Sequence, residues 1–162
     1  MKMNESLSND NNIIINNIPF VSNLNIGENY YWNIIEDMKW YYISRDYGYE
    51  ANDKVAQYLI ERNYTVEEIA KIHNFVVEQR EIVKNFICGF LRGCPKHEKE
   101  MYKLSDDGTW DLSSHIVGMG KQMVDLVLGN PDLIFTLQKI KVENFEYGFD
   151  KAIYEIQKEK EI

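Results

Sequence analysis

Apolar residues recur along this chain at the three- and four-residue steps of an α-helix, and no stretch shows convincingly the two-residue alternation of a half-buried strand. In residues 30–43 the stripe is Tyr31, Ile34, Ile35, Met38, Tyr41 and Tyr42. A second segment, 51–61, carries Val55, Tyr58, Leu59 and Ile60. A third opens on Thr65-Val66-Glu67-Glu68, a capping box in which Thr65 and Glu68 each satisfy an orphan amide of the first turn. Asp111 is the expected N-cap of a fourth helix, with Leu112, Ile116, Met119, Met123 and Leu126, that stops at Gly129. Asn130-Pro131 then predicts a short helix holding Leu133, Ile134 and Leu137. The last helix, from about Val142, presents Phe145, Phe149, Ile153 and Ile156 before a charged tail.

The third segment admits two structures. Its apolar positions 69, 72, 76, 83, 86 and 90, with polar Gln79 between, are spaced like heptad a and d sites. One unbroken helix over 65–90 would then be a spine about 40 Å long. A break near His73-Asn74-Phe75 would instead make residues 65–87 resemble a helix-turn-helix. The turn glycine of that motif is absent, however. Its reading helix would offer only Arg80 and Lys84 against Glu78 and Glu81, a poor set for phosphates and base edges.

Residues 1–28 break the pattern. Eight of them are Asn, a residue of turns and irregular backbone, around Ile13-Ile14-Ile15 and Ile18-Pro19. The expectation is an all-α, single-domain bundle of five to seven helices with a long central helix over 29–162. It is preceded by an irregular arm, 1–28, that is either flexible or docked.

Composition narrows what such a bundle can do. With 162 residues, a net charge of −8 and a pI near 4.9, the chain would repel phosphate, and its basic residues sit beside acids, as in Lys96-His97-Glu98-Lys99-Glu100. That argues against direct nucleic-acid binding. No apolar run approaches the ~20 residues of a membrane span. Two cysteines, Cys88 and Cys94, make no disulfide framework, so a soluble, cytoplasmic protein is expected.

No motif carries a recognisable chemistry. Cys88, Cys94 and His97 lack the second ligand pair of a structural zinc site. Gly118-Met119-Gly120 has neither the preceding strand nor the third glycine of a phosphate loop, and reads as a close helix contact. The acids of Ser105-Asp106-Asp107-Gly108 miss calcium-loop spacing and read as a turn with a cap. Ser113-Ser114-His115 cannot form a nucleophile–base pair on adjacent helical positions. The sequence therefore predicts no catalytic residues, metal or cofactor. An enzyme would have to assemble its site from scattered residues such as His73, Glu78, Arg80 and His115.

One local feature points outward. Eight Tyr and Trp residues fall within residues 30–49, threaded by Glu36, Asp37, Asp46 and Glu50. These residue types combine an apolar body with a polar handle and carry hot spots in interfaces. Part of the cluster fills the core stripe, but Trp32, Trp40 and Ile43 project onto the polar face. Either another layer covers them or they form an exposed patch. The sequence thus predicts a non-catalytic acidic protein that docks a protein partner, or a second copy of itself, through Trp32, Trp40, Ile43, Glu36, Asp37, Tyr47 and Tyr49. Its Asn, Ile and Lys usage suits an AT-rich bacterium or phage. An inhibitor of a nucleic-acid-handling or defence enzyme, of the anti-CRISPR or DNA-mimic type, is the special case. The alternative is a regulator reading DNA through residues 65–87.

Overall fold

The computed structural model describes residues 19–42, 50–93, 105–137 and 145–161, with side chains in 27–40, 51–93, 105–137 and 145–161. Every regular element among them is an α-helix: α1 (Pro19–Tyr42), α2 (Glu50–Glu61), α3 (Val66–Gly93), α4 (Asp106–Gly118), α5 (Lys121–Gly129), α6 (Leu133–Leu137) and α7 (Tyr147–Lys160). None of these helices is long and apolar enough to cross a membrane. The chain divides into two compact units, Met1–Asn33 and Ile34–Ile162, with the boundary inside α1.

In the first unit, α1 begins at Pro19, inside the stretch where the Asn-rich composition predicts an irregular arm. A proline is well placed there, because the first helical turn does not use its amide. Trp32 is only 7% exposed, so of the two fates expected for it the covered one holds. Tyr30 is half exposed and meets Tyr31 edge to face, ring centroids 5.3 Å apart.

In the second unit, the end of α1 buries Ile34, Ile35 and Met38 as its stripe predicts. Asp37 ties it to the end of α2 by accepting from the Tyr58 hydroxyl (2.9 Å) and pairing with Arg62 (2.9 Å). Lys39 donates to the carbonyl of Met119 at the C-terminal end of α4 (3.4 Å), where a cation also suits the helix dipole. Trp40, by contrast, is 64% exposed, with the Lys39 ammonium 5.3 Å from its ring centre. Ile43, Tyr47 and Tyr49 lie outside the described residues, as do Cys94, His97 and the side chains of Tyr41 and Tyr42.

The predicted capping box opens α3. The Thr65 amide donates to Glu68 (2.8 Å), and the Glu68 amide donates to the Thr65 hydroxyl (3.2 Å). The helix then runs 28 residues without the break near His73 that a helix-turn-helix needs. Its buried positions depart from the heptad, however. They are Ile69, Ile72, Val76, Arg80, Val83, Ile87 and Leu91, an eleven-residue repeat, with Phe75 beside them. A straight helix drifts about 20° per heptad, and as the drift accumulates the buried spacing becomes three, four, four, so that position 80 replaces 79 and position 87 replaces 86. Gln79 and Phe86 lose the seam, and Arg80 enters it.

α3 packs against α4 and α7, and α7 packs closely on α2. Gly148 permits the second contact: a Cβ there would lie 2.6 Å from Val55 Cγ1 and 2.8 Å from the Asn52 carbonyl. α4 starts at Asp106, earlier than expected. Ser105, not Asp111, is its N-cap, accepting from the Gly108 amide (3.0 Å). Asp111 lies one turn inside. The helix also ends earlier, because Gly120 leaves the helix with φ 102° and ψ 172°, a region essentially reserved for glycine. Gly120 is thus a joint between two helices, and it also leaves room for the Glu36 carboxylate of α1 to lie against it.

Candidate functional site

Arg80 enters the core on α3, and the structure meets its charge with Glu146 from the turn before α7. Arg80 is 8% exposed and Glu146 3%. Nη1 of Arg80 donates to Glu146 Oε1 at 2.6 Å. His73, two turns earlier on the same face of α3, reaches the same oxygen through Nε2 (3.2 Å). The fully buried Ser114 hydroxyl, on α4, donates to Oε2 (2.7 Å). One carboxylate thereby joins three elements. Trp110 covers the guanidinium, its ring centre 4.4 Å from Arg80 Cζ, a stack that suits the weakly hydrated planar cation. A second, longer contact of 3.4 Å runs from Arg80 Nη2 to Glu81, while Nε is buried with no hydrogen-bond partner among the described residues.

The electrostatics follow from this geometry. Burial pushes the Glu146 carboxyl upward. Hydrogen bonds from His73, Ser114 and Arg80, with the Arg80 charge, outweigh that and hold it below the ordinary carboxylate range. Asp111 is raised, first by burial and then by Asp107 and Glu146. His115, 5% exposed, is lowered by burial. His73 is itself fixed by stacking on Phe149, with centroids 4.8 Å apart and planes 6° from parallel. Phe149 in turn meets Phe145 edge-on (5.9 Å).

Above this pair lies a cleft of about 270 Å³ lined by His73, Val77, Arg80, Trp110, Glu146, Tyr147 and Asp150. Tyr147 is 60% exposed, and the exposed Asp150 makes no ion pair among the described residues. Among the described residues no group of three His, Cys, Asp or Glu could hold a metal ion. Cys88 is a half-buried free thiol.

Of the scattered polar residues singled out in the sequence, the structure joins His73 and Arg80 on one carboxylate. His115 is buried on α4 beside Ser114, and Glu78 is exposed. Glu36 and Asp37, expected on an interaction face, are engaged by Lys39 and by Tyr58 and Arg62. Sequence reasoning missed Glu146, Trp110, Tyr147 and Asp150, and it weighed Ser114 only as a nucleophile, not as the donor to Glu146 that it is. A signal for Glu146 existed: Phe145-Glu146-Tyr147-Gly148-Phe149 sets one acid among aromatics, and such an acid is buried only with partners.

Comparison with known proteins adds no relative: no protein-family model, curated protein or solved structure matches this chain.

Proposed function

We propose that this protein is a non-catalytic, acidic helical protein that docks a protein partner. The observation that carries the reading is on α7. Tyr147 and Tyr154 stand seven residues apart on one helical face, 60% and 65% exposed, with the Asp150 carboxylate between them. Large rings held in water and rimmed by charge are the composition of an interface anchor. Trp40, at 64% exposure, is a further ring of this kind, and the net charge of −8 favours a basic partner surface.

The polar centre supports the same reading. Both oxygens of Glu146 are occupied by Arg80, His73 and Ser114. The Ser114 hydroxyl is fully buried, out of a substrate's reach, and the carboxylate it donates to is held below the ordinary range, which makes it a weak general base. An inhibitor that occupies a basic nucleic-acid channel, of the DNA-mimic or anti-CRISPR kind, is the form of this function that the charge suits best.

The test is affinity capture from the organism that encodes the chain, with Tyr147→Ala, Tyr154→Ala and Trp40→Ala variants beside the wild type. The expected result is a partner held by the wild type and lost from the tyrosine variants while their circular dichroism is unchanged. Identical recovery by all variants would defeat the proposed face. Light scattering on the purified chain identifies a second copy of itself as the partner.

A further inference from the structure

We infer that the cleft above Arg80 and Glu146 receives an arginine side chain of the protein partner. This rests on the partner reading and gives its contact a chemistry. At about 270 Å³ the cleft falls just under the ~300–1,000 Å³ of sites for whole small molecules, and it suits one long side chain.

Charge decides the sign of the occupant. Arg80 invites an anion at first sight, but its guanidinium already meets Glu146 at 2.6 Å and Trp110 at 4.4 Å. The lining then holds one carboxylate in excess, and that carboxylate, Asp150, is exposed with no ion pair among the described residues. An entering anion would face Glu146 and Asp150 together, whereas a cation would pair with Asp150. Around it the lining is aromatic, with His73, Trp110 and Tyr147 beside Val77. Aromatic faces beside a free carboxylate favour a flat, delocalised, weakly hydrated cation over a compact ammonium, because guanidinium both stacks and donates in a fork. The arginine stem would lie along Val77, in the way long basic side chains cover apolar surface.

The test titrates the full isotope-labelled chain with a short neutral peptide carrying one arginine, and reads the Trp110 indole and Tyr147 ring resonances. Matched peptides carry lysine or glutamine at that position, and inorganic phosphate is the anionic probe. The arginine peptide should give saturable shifts, lysine weaker ones, and glutamine and phosphate none. Asp150→Asn and Tyr147→Ala, both at exposed positions, should each weaken binding by roughly tenfold or less. Phosphate shifting the same resonances in preference, or arginine binding unaltered in both variants, would overturn the inference. So would the absence of any shift with the arginine peptide. Capture that depends on Tyr154 and Trp40 without arginine binding sinks the cleft alone. An arginine-binding cleft with no captured protein sinks the partner reading and leaves only the chemistry of the cleft.

Discussion

Glu146 is where burial and charge compete most directly, and the competition can be measured. Removing one member of a buried ion pair strands the other, which typically costs ~3–5 kcal/mol, while replacing both by apolar groups of similar volume is often neutral. Arg80→Met and Glu146→Leu should therefore each lower the urea midpoint strongly, and the double variant should recover most of the loss. Additive losses would mean the pair does not act as a unit. Acid tests the same residue. The folded-state pKa of Glu146 is depressed, so its contribution is present above the ordinary 4.5 and is lost as pH falls through the folded value. His115 adds to the decline earlier: burial lowers its pKa, so below 6.5 the unfolded chain takes up a proton that the folded chain does not. In urea titrations stability should thus fall in two steps, the first below pH 6.5 from His115 and the second below 4.5 from Glu146, with Asp111 opposing the fall as it takes up its proton. His115→Gln should remove the first part of the decline and Glu146→Gln the last. Asp111 works the other way. Its folded pKa is raised, so it costs stability once ionised, and Asp111→Asn should raise the midpoint at neutral pH. At this scale the sequence was legible only in part. His73 and Arg80 could be named as polar residues of α3, but the acid that joins them lies 66 positions from Arg80.

The helices themselves were more legible than their ends. The capping box at Thr65 and Glu68 was readable because both partners lie within one turn, and Thr65→Ala should cost about 1 kcal/mol. The start of α4 was misplaced because Ser105 and Asp111 are both good caps, and what marks the earlier one is the Ser105 hydroxyl on the Gly108 amide, with Thr109 already buried before Asp111 is reached. Within α3 the spacing predicted a heptad seam, and the straight helix substituted an eleven-residue repeat that carries Arg80 inward. Two glycines decide how elements meet. Gly148→Ala would place a Cβ against Val55 and the Asn52 backbone, which the α2–α7 contact cannot relieve without separating, at a cost of ~1–3 kcal/mol. Gly120→Ala would strain the α4–α5 joint by a similar ~1–3 kcal/mol through its φ of 102°, with the Glu36 carboxylate also in the way. Denaturant midpoints with unchanged slopes check both, and a neutral Gly148→Ala would show that this helix pair is not close-packed.

Across the whole chain the net charge of −8 governs encounters. At about 0.15 M salt the purified protein should pass a double-stranded DNA column unretained yet bind a polylysine surface, eluting as salt shortens the screening length. Retention on DNA would instead require a basic face that the charge pattern lacks. Sequence by itself determined what depends on near neighbours and totals: the helical class, the capping box of α3 and the sign of the surface potential, while the choice between an unbroken α3 and a helix-turn-helix stayed open until the structure. Tertiary structure decided what depends on distant residues meeting. It buried Trp32 and left Trp40 in water, two rings that the helical period alone placed on the same face. It brought Glu146 to Arg80, and it left Asp150 and Tyr147 uncommitted at the mouth of the cleft. Periodicity records which way a residue faces on its own helix, but only packing determines what stands opposite.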